Sequence, residues 1–283
     1  MPSDPPPQWT PAPEKSYLYG LRNEASRAHF KAAKQFCSEH PLEQPRLLDS
    51  RVVDVIRTQG GAVWGLISPG SFVGIVNNQV RMHDGGLVTK VKTRGDQDDC
   101  CLLSNLPIVA GQYHIPLNGG VYYEVTVGEM EGYDSIIAIG TACRPFPPFR
   151  LPGWNRLSAA LHLDDLRKFF EDPCGGRDYT KEIEVSRGDV VGCGYEFHTG
   201  IMFFTHQGRR LPDAFTGIYL PHQKYDVYAA VGVSGATEFK VNFGGDTFKW
   251  LPGNEWGWRL DRHVGQLTER TTRDQEQLPP YSA

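Results

Sequence analysis

Between Ala62 and Leu251, short runs of β-branched and aromatic residues are interrupted by Gly, Asn, Asp or Pro. The breaks recur about every ten residues, which is typical of an antiparallel sandwich or barrel. Asn77-Asn78 and Asp84-Gly85-Gly86 are predicted hairpin turns, because Asn, Asp and Gly tolerate a positive φ. Leu161–Phe170 also fits a helix, but its position between two strand runs favours strand–turn–strand. The predicted strands are Val63–Ile67, Phe72–Val76, Val80–His83, Leu87–Val91, Cys101–Ser104, Val121–Val127, Ile136–Thr141, Ala159–Leu163, Val190–Glu196, Ile201–Thr205, Ile218–Leu220, Tyr228–Val233 and Phe239–Phe243.

Residues 21–61 differ from this pattern and predict two short helices. In the first, apolar residues recur at helical spacing until Pro41 ends the helix. The second begins at Ser50, a good N-cap, and ends at Gly60-Gly61. No ligand-binding or catalytic pattern recurs here, so we expect this extension to cover a face or edge of the sandwich.

The two ends of the chain have the composition of unfolded segments. Residues 1–20 are rich in proline, which removes backbone donors and favours extended conformations, so a disordered leader is expected. Residues 259–283 are polar, carry mixed charges and show no regular apolar spacing, so a flexible tail is expected. The sandwich itself is predicted to occupy residues 62–258.

Charge and composition exclude several classes of function. The 29 Lys and Arg against 33 Asp and Glu give a net charge of −4, and no basic stripe is present for nucleic acid. No apolar run approaches the ~18–20 residues that a membrane helix needs, so no transmembrane segment is expected in this chain. The N-terminal residues do not have the pattern of a signal peptide. The six Cys form no Cys-x-x-Cys pair, which favours reduced thiols in a cytosolic protein over disulfides.

Patterns typical of catalysis are missing from the sequence. It contains no Gly-x-Ser-x-Gly elbow, no phosphate-binding loop and no His-Glu-x-x-His. His162, Asp164 and Asp165 form the one local group of a histidine with carboxylates, and alternate residues of a strand share a face. A general base also needs a nucleophile or a metal, and none is indicated. A structural role is therefore favoured over a hydrolase centred on His162, and no cofactor or metal is expected.

The segment Phe149–Arg156 is the most specific internal stretch. A large aromatic residue, an Arg and a rigid Pro-Gly turn together form a loop that can present a fixed surface to a partner. Alternatively, Trp154 plugs the end of the sandwich and Pro152-Gly153 only turns the chain. Both interpretations stay open at this point, because one aromatic side chain can do both.

With its neighbours, this stretch resembles the SPRY domain, and most closely the fungal SPRY adaptors that recruit HECT-type ubiquitin ligases to endosomal and vacuolar cargo. The resemblance covers roughly residues 9–258. One departure is His206-Gln207-Gly208, where the family hairpin usually turns on Asn-Gly. Family members of the endosomal type also carry an N-terminal membrane anchor, which is not seen in this sequence. The matching segments are SNLPI (Ser104–Ile108), VYYEVTV (Val121–Val127), AIGTACRPFPPFRLPGWNR (Ala138–Arg156), ALHLDDLRKF (Ala160–Phe169), GDVVGCGYE (Gly188–Glu196), IMFFTHQG (Ile201–Gly208) and VNFGGDTF (Val241–Phe248).

The resemblance implies an all-β fold, a bent antiparallel β-sandwich of the concanavalin-like type, with no enzymatic activity. It also implies that loops at one end of the sandwich hold a partner protein. Loops on a rigid sandwich are where binding residues collect, and aromatic and Arg side chains are common in interaction hot spots. The residues that match this loop region are Arg150, Leu151, Pro152, Trp154 and Asn155, with His162, Asp164 and Asp165 nearby.

The tail ends in Leu278-Pro279-Pro280-Tyr281, which fits the Leu/Pro-Pro-x-Tyr pattern bound by WW domains. Two prolines pre-set a polyproline II helix, so little entropy is lost when the segment docks in an aromatic-lined groove. The expected partners are a WW-domain ubiquitin ligase of the HECT class and cargo proteins, with membrane transporters as one candidate class. We expect a cytoplasmic protein that reaches endosomes or the vacuole through these partners. The alternative is a SPRY scaffold subunit of a larger complex, whose tail recruits no ligase.

Overall fold

The computed structural model describes residues 26–116, 118–173 and 175–267. The predicted leader 1–20 and the motif Leu278–Tyr281 lie outside the described residues. Both predicted helices are present: α1 spans Arg27–Glu39 and α2 spans Ser50–Gln59. The side chain that caps α2 is Asp49, which accepts a hydrogen bond from the Arg51 amide at 2.8 Å, so the predicted cap Ser50 is the first residue of the helix instead.

Thirteen strands occupy the part of the chain that the structure describes. The two longest are β6, with 24 residues, and β13, with 17 residues. The bounds are β1 (Leu66–Ile67), β2 (Gly74–Arg81), β3 (Leu87–Thr93), β4 (Cys100–Ser104), β5 (Val109–Ala110), β6 (Gly120–Cys143), β7 (Ser158–His162), β8 (Arg167–Phe170), β9 (Arg177–Asp178), β10 (Val190–Glu196), β11 (Met202–His206), β12 (Arg209–Phe215) and β13 (Asp226–Asn242).

The two long strands belong to both layers of the fold. The first half of β6 pairs with β10 and with the second half of β13, which also pairs with β3. We call this layer sheet I; β2 and β3 extend it on one side, and β10, β11 and β12 on the other. The second half of β6 pairs with β7 and with the first half of β13, which also pairs with β4 and β5. This layer is sheet II, and it continues through β8 and β9 and through β1.

Both long strands bend side by side, which gives the sandwich its shape. Gly132 in β6 has φ +90° and Gly235 in β13 has φ +65°, values that L side chains rarely adopt. The pairing register shifts between Ser234 and Ala236, as expected for a bulge that redirects a strand. The result is a curled antiparallel sandwich with two N-terminal helices, and the predicted fold class is confirmed.

The core lies between the two layers, and β10 shows how its sequence produces this packing. Val191, Cys193 and Tyr195 alternate along the strand and are buried in the main core. The residues between them are Gly192 and Gly194, which face the opposite side of the sheet. A Cβ at either position would fall within 2.2 Å of an aromatic side chain, so these glycines make room for a second aromatic layer on the outer face of sheet I.

The strand prediction is wrong in several places, among them Asn77-Asn78 and Ile218–Leu220. Asn77-Asn78 is not a turn, because both residues lie within β2. The Asn78 side chain accepts from the Leu66 amide at 2.9 Å and donates to the Leu66 carbonyl at 3.0 Å, joining β2 to β1 as backbone groups would. Ile218–Leu220 is not a strand, and the hairpin partner of β11 is β12, which contains Pro212. Proline is tolerated in a strand when it lies at the edge of a sheet.

The C-terminal part of the domain extends further than predicted. Three 3₁₀ helices, Leu251–Asn254, Trp256–Trp258 and Leu260–Arg262, follow the last strand. Beyond them, His263 and Val264 are buried. The predicted start of the tail at residue 259 is therefore wrong, because this stretch contributes apolar and aromatic contacts to the folded domain.

Candidate partner-binding site

The loop from Arg150 to Asn155 packs on the outer face of sheet II. Trp154 is only 2% exposed and forms an apolar cluster with Leu151, Phe169 and Ile136. The Pro152-Gly153 turn brings the Trp154 amide within 3.4 Å of the Leu151 carbonyl, and Gly153 has φ +92°. Trp154 therefore plugs the sheet face, which decides between the two interpretations of this loop.

Arg150 is buried inside the same loop. Its Nε donates to Asn155 Oδ1 at 3.0 Å, and its guanidinium carbon lies 4.4 Å from the centre of the Trp154 ring. Its charge also reaches Asp99, whose pKa is raised by burial and held down in part by the Ser234 hydroxyl and by Arg150. Through its contacts with Asn155 and Trp154, Arg150 holds the loop together from inside.

His162 supports this loop from the sheet. Its Nε2 lies 3.0 Å from the Pro152 carbonyl, and its ring stacks on Phe169 with the ring centres 4.1 Å apart. The ring is buried, and burial lowers its pKa, so the imidazole stays neutral and donates through Nε2. A general base enclosed in this way has no accessible face, and the hydrolase hypothesis finds no support in this geometry.

Six of the eight side chains predicted to contact a partner are thus buried. They are Arg150, Leu151, Pro152, Trp154, Asn155 and His162. Because neighbouring side chains cover them, they give a partner no contact surface, and their predicted direct role is corrected to that of a rigid support. Asp164 and Asp165 are exposed, in the turn between β7 and β8, and the Asp165 carboxylate accepts from the Arg167 amide at 3.0 Å.

The bends of β6 and β13 lie together with the β3–β4 loop, beside the β7–β8 turn. The Gly235 amide donates to the Gln97 carbonyl at 2.8 Å, which joins the bend of β13 to the β3–β4 loop. Thr93 Oγ1 donates to the Gly235 carbonyl at 2.6 Å. The Leu163 amide donates to the Ile137 carbonyl at 2.9 Å, which holds the β7–β8 turn against β6 just after its bend.

These segments expose several acidic side chains. Gln97 is buried and anchors the β3–β4 loop, while its neighbours Asp96 and Asp98 point to solvent. Glu131, at the bend of β6, is exposed as well and pairs in register with Ala236. We use the name acidic rim for the exposed side chains at this end: Asp96, Asp98, Glu131, Asp164 and Asp165. Sequence reasoning missed Asp96, Asp98 and Glu131; for the two aspartates, a signal was available in the acidic run RGDQDD (residues 94–99).

Within the described ranges, no group of three or more His, Cys, Asp or Glu side chains could hold a metal ion. No helix among residues 26–267 is long and apolar enough to cross a membrane. What the arrangement offers is a rigid sandwich whose bend displays a set of loops on a buried foundation. Loops on such scaffolds bind other molecules through shape and charge. The fold and the exposed loops at its bend are therefore typical of a surface that binds other molecules.

The family model of the SPRY domain matches residues 120–246, from the first residue of β6 to just beyond β13. This part of the chain is a SPRY domain, which is generally a protein-interaction fold and not an enzyme family. The predicted resemblance to SPRY proteins is confirmed.

Related fungal proteins are similar over most of this chain. A SPRY domain-containing protein of Schizosaccharomyces pombe is 28% identical over 88% of this chain and 59% of its own length. A protein named ssh4 from Sclerotinia sclerotiorum is 33% identical over 65% of this chain and 31% of its own length. Another ssh4, from Aspergillus fumigatus, is 31% identical over 96% of this chain and 48% of its own length. The chain thus spans between about a third and three fifths of these relatives. A crystal structure of a human SPRY domain matches 65% of this chain and 99% of its own, with 20% identity and a TM-score of 0.44.

Proposed function

We propose that the protein is a non-enzymatic adaptor that joins a cargo protein to a ubiquitin ligase. The acidic rim holds the cargo, and Leu278-Pro279-Pro280-Tyr281 recruits a ligase of the HECT class through its WW domain. The observation that carries the proposal is the loop set at the bend, supported by a buried Arg–Trp–His foundation. A second observation supports the proposal: the same chain contains a WW-binding motif and a SPRY domain.

The rim favours a partner segment with positive charge. Among its members, Asp96 is paired with Arg94 at 3.2 Å, and both side chains are well exposed. Exposed ion pairs of this kind contribute little to the stability of the fold. A Lys or Arg of the partner can therefore compete with Arg94 for the Asp96 carboxylate. Asp98 and Asp164 extend the negative field along the same end. Such a field raises the rate of encounter with a basic segment and selects against acidic ones.

The tail supplies the second contact. A polyproline II segment loses little entropy on docking, and the proline rings and the tyrosine fill adjacent slots of an aromatic groove. Such a small contact gives roughly micromolar affinity. Tethering the cargo raises the local concentration of the ligase, so a weak motif is sufficient. On this proposal, the protein acts at the surface of endosomes or the vacuole and directs cargo to ubiquitin-dependent sorting.

The ligase contact is tested by titrating a recombinant WW domain of a HECT ligase against the full chain. Tyr281→Ala should weaken binding at least tenfold, because the aromatic ring that fills the second slot is lost. Ser282→Ala, one residue further on, is the matched control and should bind like the wild type. Equal binding by both variants would remove the tail from the mechanism.

The cargo contact is tested by affinity purification and mass spectrometry. The double variant Asp98→Lys, Asp164→Lys reverses charge on the rim, and Asp54→Lys does so on the exposed face of α2. The rim variant alone should lose a subset of partners. Recovery of identical partners by both variants would rule out the rim. If deletion of residues 268–283 also leaves every partner in place, the scaffold alternative is correct; the deletion starts at 268 because His263 and Val264 belong to the core.

A further inference from the structure

An aromatic groove lies at the start of β6, at the end of sheet I opposite the bend. It is open to solvent and has a volume of about 600 Å³ between the segment that precedes β6 and the 3₁₀ helix Trp256–Trp258. Volumes of 300–1,000 Å³ are typical of sites that bind a small ligand or a few side chains. The side chains that define it are His114, Pro116, Glu255, Trp256 and Trp258.

The groove is preformed. The Trp258 ring centre lies 4.9 Å from that of Trp250 and 5.6 Å from that of Phe203, so one wall belongs to the outer aromatic layer of sheet I. Gly119 and Gly257 approach so closely that a Cβ on Gly119 would lie 2.3 Å from the Gly257 carbonyl oxygen. Against this fixed backbone, Trp256 is 57% exposed. Together with Pro116 and Trp258, this exposed ring forms an apolar patch of the kind found at binding surfaces.

The chemistry of the lining suits a proline-rich segment. Two indole rings and a proline ring form apolar walls, while Glu255 and His114 supply polar groups at the edge. Proline-rich segments bind grooves of this composition, because the rigid proline rings pack against flat aromatic faces with little loss of entropy. Leu278-Pro279-Pro280-Tyr281 is a segment of this kind in the same chain.

The C-terminal end of the described residues lies beside this groove. The Gln266 carbonyl accepts a hydrogen bond from the amide of the groove residue His114 at 2.6 Å, and the description ends at the next residue, Leu267. Residues 268–277 separate that point from the motif. Ten residues span up to ~35 Å when extended, which is ample for the chain to turn back. A linker of this length gives an effective concentration of about 1 mM.

We infer that the Trp256–Trp258 groove binds Leu278-Pro279-Pro280-Tyr281 of its own chain and thereby withholds the motif from WW domains. This inference rests on the proposed function, since it assigns regulation to the same motif. A groove with an intrinsic dissociation constant of about 0.1–1 mM would be half to nine-tenths filled at that effective concentration. Because only the open form binds a WW domain, the apparent affinity falls about two- to tenfold.

The first experiment compares WW-domain affinities by calorimetry. The ligands are the full chain, its Trp256→Ala variant, its Ile75→Ala variant and a synthetic peptide of residues 268–283. Ile75 is 60% exposed on β2 and serves as the matched control for loss of an exposed apolar side chain. We expect the peptide and Trp256→Ala to bind about two- to tenfold more tightly than the wild type and Ile75→Ala. Equal affinity of all four would overturn the inference.

The second experiment does not depend on any ligase. The indole N–H signal of Trp256 is followed by NMR in the full chain and in the variant Pro279→Ala, Pro280→Ala. A change of the signal on substitution supports docking in cis, and an unchanged signal overturns it even if WW domains bind the tail. Conversely, failure of the peptide to bind any WW domain refutes the proposed ligase contact alone. A signal that responds instead to removal of residues 1–20, or to protein concentration, assigns the groove to the leader or to a second copy and also overturns the inference.

Discussion

Replacing Trp154 by Ala tests whether this side chain is a structural plug. It is 2% exposed and packs against Leu151, Phe169 and Ile136. A side chain of this size buries 150–250 Å², which corresponds to about 4–6 kcal/mol at ~25 cal/mol per Å². Substitutions of buried Trp or Phe by Ala cost about 3–5 kcal/mol in practice. We expect a loss of this size in the free energy of unfolding.

The matched control is Trp256→Ala, the same substitution at a position that is 57% exposed, which should cost less than about 1 kcal/mol. For a domain of this size, ~1 kcal/mol corresponds to about 2–4 °C in Tm, so Trp154→Ala should lower Tm by about 6–20 °C. Circular dichroism during urea and thermal unfolding measures both variants. Trp154→Phe should lose less stability than Trp154→Ala, because it keeps an aromatic ring and removes an indole nitrogen that has no hydrogen-bond partner. Equal stability of the two Ala variants would refute the plug.

The remaining predictions concern two buried polar side chains. The Glu124 carboxylate accepts from the amides of Lys249 at 3.0 Å and Trp250 at 2.9 Å, so Glu124→Ala leaves two amides unsatisfied and should cost about 2–4 kcal/mol in urea unfolding. A cost below 1 kcal/mol would contradict this assignment. Burial of His263 lowers its pKa to about 3, so stability should fall as the pH drops below 6.5, by about 3 kcal/mol at pH 4, and His263→Gln should remove most of this difference. Parallel pH–stability curves for wild type and His263→Gln would show that His263 does not titrate in this way.

Glu124 also shows why part of the architecture could not be predicted. Its partners lie about 125 residues further along the chain, and nothing local indicates that this carboxylate fastens the C-terminal segment to sheet I. The bend of β6 is a similar case. Two separate strands, Val121–Val127 and Ile136–Thr141, were predicted there, whereas pairing with β13 carries one strand through the bend.

The sequence alone determined most of the strands, both helices and the family, because these depend on local patterns. Alternation in β10, the turn at Asp84-Gly85-Gly86 and the Pro-Gly turn before Trp154 each reflect conformational preferences of a few neighbouring residues. The sequence also supplied the chemistry of the loop at the bend, where an Arg, a Trp and a His occur close together. It did not determine which of these side chains face solvent.

Only the tertiary structure decided that question, because burial depends on which distant strand or loop covers a side chain. Packing on sheet II makes Trp154 a support and leaves the acidic side chains as the exposed surface. Packing of the C-terminal segment on sheet I holds Trp258 and leaves Trp256 open beside His114, more than 140 residues away in sequence. Contacts between residues so far apart are fixed by the arrangement of the whole sandwich, and no local pattern encodes them.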